Sequence, residues 1–368
     1  MLPDNYMILK KSLIERMLSI MVYFPMCLRN FTVNYNFSMK QVVLCLFLLV
    51  VVLGCTKKKE VAGAGLNPSF GNRNEIVLVI DDSLWIGSFG DSIRSQLAKT
   101  TAISDNTEPV FTLLQLDPKI FTSKAKLARN IVLFSTNNQY EFLLQKSVYA
   151  TPQNFFFLRA ENKEDLLKMF KKNADSIASV FKASELNEEM HQVVRASTHD
   201  LSELKDFFGC TLKIPDNYHL QIKNEFPFLW YQKDLPSGNI NLILYEFPIT
   251  EIENTKGSVE NHLLQARNFI GEEFMKTAKD QAYITTSTKV KYTITKETLQ
   301  NLPAYRITGN WETVNDYLKG PFICYAIRDD YYKRYLFIEG YINNPFKQKG
   351  EQILEVEAII KSINFNEN

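Results

Sequence analysis

The chain has 368 residues, 45% of them hydrophobic, 12% aromatic and 23% charged, with a formal net charge of +1. That apolar content is enough for packed cores and excludes a disordered chain, and the length suggests two domains. A near-neutral balance without a clustered basic surface excludes nucleic acid as a partner.

Residues 1–38 contain Pro3, Pro25, scattered aromatics and an apolar patch at Met17 to Phe24 with no clean period. They read as an over-long gene start, with Met39 the true initiator. Residues 39–54 then form a lipoprotein signal peptide. Lys40 supplies its positive end, and Val42 to Leu53 are an unbroken apolar run of 12 residues. A signal-peptide core spans roughly 7–15 residues, whereas a membrane-crossing helix needs about 20. Small Gly54 precedes Cys55, and VLGC at Val52 to Cys55 resembles a bacterial lipobox. The resemblance implies that the Cys55 thiol receives a diacylglyceryl group and that the chain is cut before it. The expected protein is therefore held at a membrane by lipid. Thr56, where an aspartate would favour the inner membrane, points to the outer one. Without residues 1–54, which hold five Lys+Arg and two Asp+Glu, the remainder carries 37 basic and 39 acidic side chains.

Residues 55–73, rich in Gly and small residues and carrying Lys57 to Lys59, read as a flexible tether. A first domain is expected over 74–198. It opens with the apolar strand Glu75 to Ile80, punctuated by Asp81 and Asp82. A helix is predicted over Asp91 to Lys99, with Asp91 as its N-cap. Further strands are predicted at Val110 to Leu116, Asn130 to Phe134 and Phe155 to Leu158. Leu166, Leu167, Phe170, Ala174, Ile177 and Phe181 recur every three or four residues, which predicts a long amphipathic helix over 162–183, continued by Glu185 to Arg195. Strands alternating with helices define an α/β region.

The pattern changes near residue 199, where a second domain is expected to run to 368. Leu201 to Phe208 is a short helix stopped by Gly209. Closely spaced strands follow at Cys210–Ile214, Tyr218–Lys223, Phe228–Gln232 and Ile240–Phe247, with turns at Pro215 and Pro236. A helix over Val259 to Ala278 carries Leu263, Ala266, Ile270 and Phe274 on one stripe. Strands are predicted again at Tyr283–Ser287, Val290–Thr295, Ala304–Val314, Pro321–Arg328 and Lys333–Ile342, and Gln348 to Ile363 is a closing helix. The expected fold is therefore α+β: an N-terminal α/β region followed by an antiparallel sheet with helices packed on one face.

Several segments together resemble a family known only as domain of unknown function 4837, lipoproteins of Bacteroidetes-type bacteria. They are Ile76 to Trp85 (IVLVIDDSLW), Gly90 to Arg94 (GDSIR), Lys126 to Leu133 (KLARNIVL), Gly309 to Trp311 with Gly320 to Phe322, and Ile338 to Ile342 with Asn344 and Pro345. They span nearly all of residues 75–368. The resemblance implies an anchored lipoprotein and brings no catalytic residues. In element order alone the second half also resembles the Mog1/PsbP sandwich.

Candidate chemistry is sparse. Gly90-Asp91-Ser92 is similar to the nucleophile block of GDSL-type esterases, and Asp216 with His219 matches their Asp-x-x-His spacing; such a site needs the histidine to take the serine proton and the carboxylate to orient the ring. Here nine residues separate Ser92's motif from its strand, and Asp216 follows a Pro-led turn in mid-chain. Helix capping by Asp91 and an ordinary strand position for His219 explain both motifs. His191, His199, His219 and His262 lack ligand spacing, so no metal or cofactor is implied. Asp81 and Asp82 fit a ligand-binding strand end or, more commonly, a capping turn. Glu339, in an apolar strand, is expected to face solvent. Trp85, Trp230 and Trp311 are expected in the core. Cys210 and Cys324 form either a disulfide or two buried thiols, in a compartment that permits bridges. The leading expectation is a non-catalytic envelope module that binds a partner protein or small ligand; the alternative is an envelope hydrolase using Ser92, Asp216 and His219.

Overall fold

A computed structural model describes residues 65–101, 108–122, 124–198, 201–223, 227–253, 256–277, 281–345 and 349–365. The gene-start, signal-peptide and Cys55 expectations lie outside these residues, as does His199. Two sheets of different character organise the described chain, which belongs to one compact unit.

The first sheet comprises β1 (Glu75–Val79), β2 (Thr112–Leu116), β3 (Asn130–Thr136), β4 (Glu141–Lys146) and β5 (Asn154–Ala160). Their order is β2-β1-β3-β5-β4; β4 runs antiparallel at the edge and the other four are parallel. After Glu75, β1 is apolar because both its faces are covered. Ile76 and Leu78 meet the helices, and Val77 and Val79 meet a smaller cluster with Ile131 and Phe155. Helix α1 (Ser88–Leu97) buries Phe89, Ile93 and Leu97. It begins three residues before Asp91, which sits in its first turn paired with Arg94 and is not the cap; Gly87, at φ 112°, is.

Helix α2 (Lys163–Arg195) continues unbroken for 33 residues, about 50 Å of axis. No Gly or Pro interrupts it. The Asn162 side chain accepts the Asp165 amide at 2.9 Å, and Glu164 and Asp165 complement the dipole of the first turn. Its stripe from Leu166 to Phe181 covers the first sheet, and Leu186, Met190 and Val193 reach into the core of the second.

After α3 (Ser202–Phe208), which Gly209 ends in the left-handed conformation, the chain builds an eight-stranded antiparallel sheet. Its strands are β6 (His219–Lys223), β7 (Phe228–Leu235), β8 (Gly238–Pro248), β9 (Tyr283–Thr286), β10 (Thr293–Leu299), β11 (Leu302–Val314), β12 (Lys319–Asp329) and β13 (Arg334–Asn343). The order is β6-β7-β8-β13-β12-β11-β9, with β10 also paired to β11. Short α4 (Ile249–Glu253) and α5 (Val259–Phe274) lie on one face, and α6 (Gly350–Lys361) lies on the other. The mixed α+β class stands as expected, but helices cover both faces of the large sheet, not one. The sequence of β12 and β13 explains this: both are buried along almost their whole length, with no polar alternation to face water. At Gly340 a β-carbon would lie 1.9 Å from Val356 Cγ1, so α6 reaches its seat on β13 only because no side chain stands there.

Two further expectations change. The strand at Cys210 is only two residues long and pairs with Asn364–Phe365. The end of the expected tether is held on the body: Asn67–Pro68 pairs with Ala150–Thr151, the Phe70 amide donates to the Leu127 carbonyl at 3.0 Å, and Arg73 lies 2.5 Å from Glu189. Backbone pairing and one buried carboxylate capture a segment whose composition alone reads as linker.

Candidate functional site

The esterase-like residues belong to separate parts of the fold. Ser92 lies on α1 and donates its hydroxyl to the Ser88 carbonyl one turn back, at 2.8 Å. Gly90 is where α1 passes closest to the preceding turn: a β-carbon there would lie 1.9 Å from the Trp85 carbonyl oxygen. Asp91 holds Arg94, whose guanidinium stacks 4.3 Å from the Trp85 ring centroid. Each residue of the motif thus has a packing role. Asp216 occupies a turn, its amide bonded to the Ser197 carbonyl, and His219 opens β6 at the far edge of the large sheet. Asp81 caps the helical turn after β1 by accepting the Ser83 amide at 2.8 Å, and Asp82 accepts from Gln115. The hydrogen bond to Ser83 holds the Asp81 carboxyl below its ordinary range.

Cys210 and Cys324 are free, and they belong to cores on opposite faces of the large sheet. The candidate disulfide is therefore corrected: the sheet lies between the two thiols. Burial pushes Cys210 up to about 12 and raises Cys324 as well, which leaves both unreactive. Trp311 is core, its ring nitrogen donating to the Ile342 carbonyl at 3.1 Å, while Trp230 is half-buried and donates to Asn241 at 2.9 Å. No group of histidine, cysteine and carboxylate side chains among the described residues is placed to hold a metal ion.

Glu339 does not face solvent. It stands at the centre of β13 beneath α5, fully buried, and accepts from Arg267 Nη2 at 2.6 Å. Arg267 Nη1 donates to Thr286 Oγ1 at 2.8 Å, and the guanidinium lies 3.7 Å from the Phe322 ring centroid. Burial raises the Glu339 carboxyl, and the Arg267 charge opposes that shift. Arg267 went unnoticed in the sequence because 72 residues separate it from its partner.

A second polar intrusion is open to solvent. In β3, β5 and β4 the residues Asn130, Asn154 and Lys146 stand in one cross-strand row on the face under α2. The rows beyond it on that face are apolar: Val132, Phe156 and Leu144, then Phe134, Leu158 and Phe142. The helix changes in step. After Phe181 its buried stripe continues as Glu185 and Glu189. Asn130 Nδ2 donates to Glu185 Oε1 at 2.7 Å, Arg129 Nη1 to Glu185 Oε2 at 2.6 Å, and Asn154 Nδ2 to Asn130 Oδ1 at 3.2 Å. Burial raises the carboxyls of Glu185 and Glu189, with Arg129 and Arg73 pulling the other way. The signal for this site was a three-to-four-residue stripe on which carboxylates replace apolar residues.

A cleft of about 330 Å³ opens where this row ends, between α2 and the turn from β4 to β5. Asn154, Lys146, Ser147, Ser184 and Asn187 supply its polar lining, and Pro152, Val180 and Ala183 an apolar wall. Gln153 fixes the turn: its Nε2 donates to the carbonyls of Lys126 and Ala128 at 2.6 and 2.7 Å, and its Oε1 accepts the Tyr149 amide at 2.9 Å. This arrangement can bind and orient a polar ligand.

Two sheets make this a mixed α+β protein, and comparison with known families gives a counterpart to the stretch of chain that builds each sheet. Residues 197–362 match DUF4837, a domain of unknown function. Residues 69–194 match a different family of unknown function, DUF8532. The resemblance first drawn over nearly all of residues 75–368 is thus narrowed, since Ile76 to Trp85, Gly90 to Arg94 and Lys126 to Leu133 fall in the second match. No curated protein matches the chain. Among solved structures, the PsbP protein CyanoP of Synechocystis sp. PCC 6803 is similar at 10% identity and a TM-score of 0.29, over 43% of this chain and 87% of that one. The Ran-binding protein Mog1p of Saccharomyces cerevisiae is similar at 10% identity and a TM-score of 0.27, over 43% of this chain and 90% of that one.

Proposed function

We propose that this is a lipid-anchored bacterial envelope protein whose folded body binds a ligand without turning it over. One observation carries the binding part: the row Asn130–Asn154–Lys146 ends in a cleft lined by amides, hydroxyls and one ammonium, with no histidine, cysteine or carboxylate in its lining. Such groups hold and orient a ligand, and the lining offers no histidine or carboxylate base beside its serines to activate them.

The anchor rests on the sequence, the apolar run Val42 to Leu53 followed by Gly54 and Cys55. Acylated at Cys55, the protein sits on the outer membrane. Asn67 follows Cys55 by twelve positions and pairs with Ala150 in the turn beside the cleft. That stretch reaches at most about 40 Å, so the cleft works close to the bilayer. None of the described helices is long and apolar enough to cross a membrane.

Replacing Cys55→Ala moves the protein from the membrane fraction to the soluble one and removes its acyl mass. Unchanged lipid labelling in that variant rejects the anchor.

A further inference from the structure

Resting on the binding reading above, we propose that the cleft between β4, β5 and α2 takes an acidic saccharide of one or two rings. In this assignment a sugar hydroxyl donates to Asn154 Oδ1, further hydroxyls bond Ser184 and Asn187, and the sugar carboxylate meets Lys146.

The direction of the hydrogen bonds sets the first part. Both oxygens of Glu185 accept, one from Asn130 and one from Arg129. Asn130 must therefore turn its NH₂ towards Glu185 and its carbonyl oxygen towards Asn154. Asn154 in turn gives its NH₂ to Asn130. A buried carboxylate thus fixes the amide orientation two residues away, and the end of the relay is an acceptor. Asn154 is only 4% exposed, lines the cleft, and has no partner for Oδ1 among the described residues. An acceptor so placed selects a ligand with a hydroxyl or other donor, because a ligand lacking one leaves it unsatisfied.

The register sets the second part. Lys146 stands directly opposite Asn154 on the same face, with β-carbons about 5 Å apart. Its ammonium is at the exposed rim and forms no ion pair among the described residues. A donor and an anionic group about one sugar ring apart satisfy both side chains. The size sets the third part. At about 330 Å³ the cleft sits at the small end of ligand pockets, which run from about 300 to 1,000 Å³, as a ligand of one or two rings requires. The Pro152, Val180 and Ala183 wall suits the C–H face of a ring.

The test uses the full-length protein in detergent micelles, with digalacturonic acid as probe and its dimethyl ester as the neutral isostere, read by calorimetry. The acid binds, and the ester binds about tenfold more weakly, the worth of one charge-assisted contact. Lys146→Ala, an exposed substitution that leaves the fold intact, weakens the acid by a similar factor and leaves the ester unchanged. Asn154→Leu weakens both. Failure of the acid to bind at millimolar concentration, or equal affinity for acid and ester, overturns the ligand class. Affinities untouched by either substitution overturn the cleft assignment and leave a binding module standing. Release of new reducing ends overturns the non-catalytic reading, and the cleft assignment survives it.

Discussion

Both sheets bury polar groups among apolar side chains, and two of these intrusions, each met by a covering helix, differ in whether they reach solvent. Glu339 on β13 and Arg267 on α5 are sealed, with side-chain exposures of 0% and 3%. The row Asn130–Asn154–Lys146 under α2 begins equally buried and ends at a cleft. Both use the same device, in which a polar residue planted on the sheet is met by a complementary residue on the covering helix. Where the device is closed, it can only fix how α5 sits over the sheet. Where one side is left open, the same hydrogen-bonding rules produce an oriented group facing solvent. Polarity inside a core is therefore a poor guide to function until its last partner is accounted for.

The comparison is broken most severely at the sealed pair. Glu339→Leu leaves the Arg267 charge uncompensated in the interior, and loss of one partner of a buried pair costs roughly 3–5 kcal/mol. The double variant Arg267→Met with Glu339→Leu removes both charges and is expected to recover that loss, since buried pairs replaced by apolar residues are often neutral. Urea denaturation of the wild type and three variants measures the cycle. If the double variant is no more stable than the worse single, the pair does more than neutralise itself.

The open intrusion is probed next, through its proton. Burial raises the Glu185 carboxyl above its unfolded value, so the native state holds that proton more tightly than the unfolded chain. Its stabilising contribution is complete below the unfolded glutamate range, near ~4.3, and is lost as pH rises through the folded value. Glu185→Gln removes this titration. It also sets an amide NH₂ against Arg129 or Asn130, a cost of about 1–3 kcal/mol at neutral pH. Stability measured from pH 4 upward should fall less steeply in the variant, and parallel profiles would assign the pH dependence elsewhere.

Much of this was legible from local pattern. The apolar run of β1, the stripe from Leu166 to Phe181 and the stop at Gly209 all come from residues within one or two turns of each other. Strand β4 was missed because EFLLQK is short, polar at both ends and half-buried, as an edge strand is. Glu339 was misplaced because its burial is decided by Arg267, brought there by a different helix. Asn130, Asn154 and Lys146 are ordinary residues in sequence and become a row only through the register of three strands. The two carboxylates on α2 were the exception, a local sign of a distant arrangement.

The smallest expected effect separates the cleft from the motif that first suggested chemistry. Ser92 spends its hydroxyl on the Ser88 carbonyl within its own helix, and its position on α1 is outward enough that alanine, the better helix former, fits without rearrangement. Ser92→Ala should change stability by no more than about 0.5 kcal/mol, as surface substitutions do. If the motif is packing alone, any hydrolysis of p-nitrophenyl acetate by the purified protein is the same in Ser92→Ala as in the wild type. A serine-dependent burst of nitrophenol in the wild type that the variant lacks would place catalytic chemistry on α1 and overturn the non-catalytic reading. It would also revive the hydrolase that the positions of Asp216 and His219 argue against.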